Sequence, residues 1–133
     1  MLIETALMTY LLAQSGITDY VGQRIYFVLA PQETAKPYIV ITKIDAPRVH
    51  SHDDGSQLAH PRFQLSIFSM TYGEAKNIAS AIQTALQGYA GTMGDAGGVA
   101  VGAVFYEDEN DFYEESTQLF QVACDYIFWH KES

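Results

Sequence analysis

Histidines and carboxylates crowd one stretch of this sequence, His50-Ser51-His52-Asp53-Asp54, with His60 beyond Gly55. Imidazole and carboxylate groups at such spacing could hold zinc or a similar cation, as a metal-dependent enzyme would. H-x-H-D-D brings no second ligand pair fixed on a rigid element, so a solvated loop is the expectation. A second stretch, Glu107-Asp108-Glu109-Asn110-Asp111-Phe112-Tyr113-Glu114-Glu115, lacks the D-x-[DN]-x-[DN]-G pattern of a calcium loop. Nothing in its spacing selects two carboxylates for acid–base work. It is expected to be a solvated acidic edge or a surface facing a basic partner.

The remaining chemistry-bearing types are equally unpromising as catalysts. Five of the ten glycines fall between Gly88 and Gly98, in neither a G-x-x-x-x-G-K-[ST] nor a G-x-G-x-x-G arrangement. There is no G-x-S-x-G elbow. Trp129 and the nine tyrosines lack interleaved basic residues, which assigns them to core or interface rather than to stacked bases. Cys124 lies in an apolar run and reads as a small buried hydrophobe. No catalytic residue, metal or cofactor is expected.

Composition narrows the class further. The 133 residues are 48% hydrophobic and 17% charged, which suits one globular domain over 1–133. A single cysteine cannot form an internal disulfide. Met1 to Met8 lacks a basic leading region and is interrupted by Glu4, so it does not read as a signal peptide, and synthesis in the cytoplasm is expected. No run approaches the ~20 apolar residues that span a bilayer. The net charge of -9 argues against coating nucleic acid. It permits DNA to move past, because an acidic wall gives the polyanion nothing to adhere to.

These segments must be positioned by the elements around them. Ile3, Leu7 and Leu11, with Ala6 and Tyr10, predict a helix over 2–14 that stops at Gly16. A short polar turn leads to strands at 24–29, 37–44 and 62–67. Residues 46–61 between the last two read as a long loop or extended hairpin tip. Thr71-Tyr72-Gly73-Glu74 has the form of a capping box. The helix it opens has a stripe of Ala75, Ile78, Ala79, Ile82 and Leu86 and ends at Gly88. A mobile connection over 88–98, a strand over 99–106, the acidic segment and a last strand over 117–129 complete the chain. The expected fold is α+β: a mainly antiparallel sheet of about four to five strands with two helices packed on one face.

Two helices cover only one face of such a sheet. The first strand offers Ile25, Phe27 and Leu29 on one side and Tyr26 and Val28 on the other. The second offers Tyr38 and Val40 against Ile39 and Ile41. Sheets with one wet face alternate apolar with polar, and these strands do not. Either long loops fold over the second face or a neighbouring copy covers it.

The order of segments resembles the tail-completion, or tail-terminator, family of siphophages and related prophages. The likeness rests on Val21-Gly22-Gln23-Arg24-Ile25-Tyr26 with Ala30-Pro31-Gln32, then Pro37-Tyr38-Ile39-Val40. It continues through Arg62-Phe63-Gln64-Leu65-Ser66-Ile67, the helix to Leu86, and Asp125-Tyr126-Ile127-Phe128-Trp129. The resemblance implies a structural virion protein, not an enzyme, that caps the head-proximal end of the tail tube. It implies a homo-oligomeric, hexameric ring that stops tube growth and joins tail to head. Its partners would be the tail tube protein and the head connector or head-closure protein, with DNA passing through unbound and no membrane contact. By position and composition, His50, His52, Asp53 and Asp54, and Glu107, Asp108, Glu109, Asp111, Glu114 and Glu115, are the candidate partner or channel surfaces. The competing readings are a head-closure or tail-tube subunit, a metal-dependent enzyme using the His50–His60 loop, and a binding module with a pocket between helix and sheet.

Overall fold

The computed structural model describes residues 1–45, 48–50, 57–94 and 97–131. Helix α1 (Ile3–Leu12) is followed at once by α2 (Ser15–Val21), then β1 (Ile25–Phe27) and β2 (Tyr38–Asp45). Two short strands, β3 (Arg48–His50) and β4 (Gln57–Ala59), precede β5 (Arg62–Ser69) and helix α3 (Tyr72–Leu86). The chain closes with β6 (Gly91–Met93), β7 (Val99–Glu114) and β8 (Leu119–Lys131). The α+β class expected from the sequence holds. Its details differ, since the described residues form three helices and eight strands of one mixed sheet.

Strand β8 is the axis of that sheet. It pairs with β7 along one edge from Leu119 to His130 and with β5 along the other from Phe120 to Ile127. Beyond β5 the second edge is taken up by β4, which pairs Ala59 with His130 and is itself paired with β3. Six strands therefore run side by side as β1-β2-β5-β8-β7-β6, with the β3–β4 hairpin continuing the line of β5. The sheet is mainly antiparallel, as expected; among the described strands the outermost pair, β1 and β2, is the parallel exception. The connection over 28–37 carries the chain back to the end from which β1 began, so the two strands must run the same way.

All three helices feed one core. Ile3, Leu7 and Leu11 of α1, Ile17 and Val21 of α2, and the whole predicted stripe of α3 pack on the inward side chains of the sheet. Those inward residues are Ile39 and Ile41, then Phe63, Leu65 and Ile67, then Val122, Cys124, Tyr126 and Phe128. Each large aliphatic side chain so buried contributes ~1.5–3 kcal/mol relative to exposure. Between α3 and the sheet, Ile78, Ile82, Phe63 and Phe128 are all without exposed surface.

The second helix is a correction to the sequence reading, which ended the first helix at Gly16 and placed a short polar turn between it and Arg24. Gly16 does not stop anything; the chain bends at Ala13 and restarts, with Ile17 and Val21 buried one turn apart. Likewise the glycine-rich stretch is more than a connection. It contains β6, whose Met93 is buried, and Gly94 at φ +91, where a Cβ would lie 2.9 Å from the Met1 Sδ.

The capping box is present but rearranged. Thr71 Oγ1 accepts from the Glu74 N–H at 3.3 Å, as the motif predicts. The reciprocal half runs through a third residue: the Thr71 N–H donates to Ser69 Oγ at 3.2 Å, and Ser69 Oγ donates to Glu74 Oε1 at 2.7 Å. Ser69 has no exposed surface, so its loss strands two polar groups. Ser69→Ala is therefore expected to cost about 1–2 kcal/mol. Thr71→Ala should cost about 1 kcal/mol. Both should appear as lower urea midpoints with unchanged slope.

Candidate assembly surfaces

The histidine cluster and the acidic cluster end in different circumstances. His50 belongs to β3, while His52, Asp53 and Asp54 lie outside the described residues. His60 stacks on Trp129 with ring centroids 4.3 Å apart and planes 13° apart. Among the described residues no group of three or more His, Cys, Asp or Glu side chains is arranged to hold a metal.

The acidic segment, expected as a solvated edge or a partner surface, is the second half of β7, mostly exposed and paired on one side with β8. Pairing with β8 continues unbroken in direction from Asp108 opposite Asp125 to Glu114 opposite Leu119. A bulge between Tyr106 and Asp108 leaves Glu107 out of register. Five carboxylates in one strand repel each other and favour hydration, so a compensating interaction is needed. Lys76 of α3 supplies it. Its Nζ donates to Glu109 Oε2, and reaches Asp111 Oδ1 at 3.1 Å and Oδ2 at 3.3 Å.

Two tyrosines complete the clamp. Tyr72, one turn before Lys76 on α3, donates its hydroxyl to Asp111 Oδ2 at 2.6 Å. Tyr106 donates to Glu109 Oε1. The Lys76 ammonium and the Tyr106 hydroxyl hold the Glu109 carboxyl below its usual range. The Tyr72 hydroxyl, then Lys76, does the same for Asp111. The reciprocal effect raises Lys76, chiefly through Glu109. Burial, helped by the Glu109 carboxylate, pushes the Cys124 thiol up to about 12. It stays protonated and inert, the buried hydrophobe that its apolar run suggests.

The other carboxylates of the segment are left outward. Glu107, Asp108, Glu114 and Glu115 are exposed. Asp108 accepts from the Glu109 N–H at 2.9 Å and from Asn110 Nδ2 at 3.1 Å. Glu114 accepts from Ser116 Oγ at 3.2 Å. Of the ten candidate residues, the described ones divide three ways: Glu109 and Asp111 bound to α3, Glu107, Asp108, Glu114 and Glu115 on an open strand or its turn, and His50 on β3. Spacing in the sequence could not have found Lys76, which lies 33 residues from Glu109.

The sheet face away from the helices is only partly wet. Val40, Ser66, Ala123 and Asp125 are buried there without a second layer of helix. Asp125 accepts from Arg62 Nε and Nη2 at 3.1 and 2.9 Å and from Gln64 Nε2 at 3.2 Å, so its charge is answered. Tyr38 stacks on Phe68 with centroids 5.0 Å apart. Around that pair lie two clefts, one walled by Val28, Leu29 and Ala30, the other by Phe112, Tyr113 and Glu114.

What these residues build is a small α+β structural unit: its polar side chains fix its own strands, and its apolar surplus faces outward. The family model of Tail completion protein gp17 matches residues 5–131, and the chain belongs to that family. No curated protein matches it. Among solved structures, a chain from "Virion of native gene transfer agent (GTA) particle" superposes with a TM-score of 0.76 at 16% identity, covering 98% of this chain and 95% of that one. At that identity the likeness is one of fold, and it extends from the first helix to the last strand.

The clamp makes stability depend on pH in a stated direction. Both carboxyls are held below their ordinary values of 4.5 and 3.8, so their contribution is full above about pH 4.5 and drains as acid protonates them. The three side chains keep 28–40% of their surface exposed, which limits the clamp to about 1 kcal/mol or less. Lys76→Met should lower stability by that amount near neutral pH, with the gap to the natural protein closing as pH falls below about 4.5. Urea unfolding across that range measures it.

Proposed function

We propose that this chain is a structural tail-terminator subunit. A homo-oligomeric ring of it, six copies in number, caps the head-proximal end of a phage tail tube, halts tube growth and joins the tail to the head. The observation that carries this reading is the family match over residues 5–131. One structural feature agrees with it: the sheet leaves apolar side chains exposed at both of its edges, as a subunit made to be neighboured would.

In this reading the protein is made in the host cytoplasm and ends in the virion, where it meets the tube protein on one side and the head connector or head-closure protein on the other. It needs no cofactor. A net charge of -9 leaves DNA free to pass through the ring without binding. The segment 46–61, with His50, His52, Asp53 and Asp54, is the surface for one of the two partners. The exposed Glu107, Asp108, Glu114 and Glu115 serve contacts within the assembly.

Disrupting the gene in a producing phage or prophage tests this directly. Filled heads lying free beside tails of uncontrolled length are expected under electron microscopy. Tails of normal length that merely fail to attach would transfer the role to the head side of the joint. The absence of any tail would make the chain a tube component. Normal, joined particles would overturn a virion role altogether.

A further inference from the structure

We propose that neighbouring copies of this chain associate head to tail, the open edge of β7 in one copy meeting the β1 edge of the next. This rests on the ring reading above and goes beyond it by naming the contact. The starting observation is that the sheet has two unfinished sides. On the edge away from β8, only Val99 to Val101 of β7 is paired, with β6; from Ala103 to Glu114 no strand among the described residues covers it. At the far side, β1 pairs with β2 alone. Open edges present unpaired backbone groups and are natural templates for another chain.

Both places also expose apolar side chains. Among the described residues, three exposed large hydrophobics border β1 (Phe27, Val28, Leu29) and three lie on β7 (Phe105, Phe112, Tyr113). The first group is held out at a cost. Val28 has φ +66, and the Leu29 N–H donates to the Phe27 carbonyl at 2.6 Å, which closes a tight three-residue turn. A β-branched residue in the left-handed region is strained. The Val28 N–H, bonded to the Ile41 carbonyl at 2.9 Å, keeps it there. The result is Val28 at 70% and Leu29 at 80% exposure, an arrangement from which the isolated subunit gains nothing.

Charge then selects the pairing. Two β7 edges laid together would set Glu107, Asp108 and Glu114 against the same residues of the other copy, and like charges directly across a ladder repel. The β1 side carries a cation, Arg24, immediately before the strand. Arg24 is fixed in place by bonds from its Nε to the Pro37 carbonyl at 2.9 Å and from its Nη2 to the Tyr20 carbonyl at 3.2 Å. Each edge thus repels or ignores itself and complements the other. Unlike patches on opposite sides of one sheet give a heterologous contact, which propagates from copy to copy and can close a ring instead of stopping at a dimer.

Paired cysteines in assembled tails test the contact. Leu29→Cys and Phe112→Cys are exposed substitutions that leave the core intact, and the buried Cys124 does not compete. With a short bis-maleimide, tails carrying both substitutions should yield a ladder of covalent multimers ending at the ring size. Either single variant should yield only monomer. Dimers from a single variant would mean that like edges meet, and would overturn the head-to-tail scheme. Joined, infectious particles whose double variant stays monomeric would overturn this contact while leaving the ring in place. The gene disruption described above decides the ring independently. As a second readout, Leu29→Glu and Phe112→Glu, each expected to be unable to extend an assembly alone, should form a one-to-one dimer when mixed, seen by sedimentation. Mixed proteins that remain monomers while the natural chain self-associates would also refute it.

Discussion

The ladder between β7 and β8 is the constraint on which the rest of the structure depends. Twelve pairs join the two strands, and β8 is also paired along its other edge, so it cannot shift register without breaking both sides at once. A slip of one residue would turn Val122, Cys124, Tyr126 and Phe128 out of the core and bring Gln121, Asp125 and Ile127 in. That penalty fixes where every other strand lies. It also explains how a strand of sixteen residues with an acidic second half exists at all, since nearly its whole length is held by a partner whose own position is already decided.

Lys76 is subordinate to that ladder but gives it direction. A lone ammonium between two carboxylates at the surface contributes little to folding free energy. Its more telling effect is on geometry. Tyr72 and Lys76 lie one turn apart on α3, and together they tie the helix to Asp111 and Glu109, side chains on the same face of β7. The helix therefore holds the acidic half of β7 close to the sheet plane and leaves the opposite side chains, Phe112 among them, facing away. An edge held in advance loses less freedom when a neighbour arrives, and association is favoured accordingly.

Legibility in the sequence followed the range of the interactions. The stripe of α3 was readable to the residue, because Ala75, Ile78, Ala79, Ile82 and Leu86 repeat a local period. So was the inward face of β8. The Thr71 cap was readable, but the part played by Ser69 was not, since it sits before the motif and reaches it only when β5 ends at that point. The short α2 offers just Ile17 and Val21, too few turns for a period to emerge. The parallel pairing of β1 depends on where a ten-residue connection returns, which no local pattern records. The acidic segment misled most. Its composition argues for solvent, and only the pairing with β8 and a cation from a distant helix make it a strand. Of the candidate site, the residue types were legible; their division between a clamp and an open edge was not.

A domain of this kind has to solve a problem that its own sheet creates. Apolar strands with free edges join whatever matches them, and unlimited joining is aggregation. Covering the edges would prevent it but would also abolish assembly. The chain takes a third course, in which one edge is guarded by carboxylates and the other by a short strand that ends in a strained turn. Guarding by like charge blocks the symmetric encounter and permits the asymmetric one. Strain at Val28 blocks continuation of the strand while presenting a side chain beyond it. Specificity of association is thus written in what each edge rejects as much as in what it accepts. Under the proposed contact no compact motif would announce the function, because the working parts are two sides of one sheet, brought into relation by the six-strand order between them.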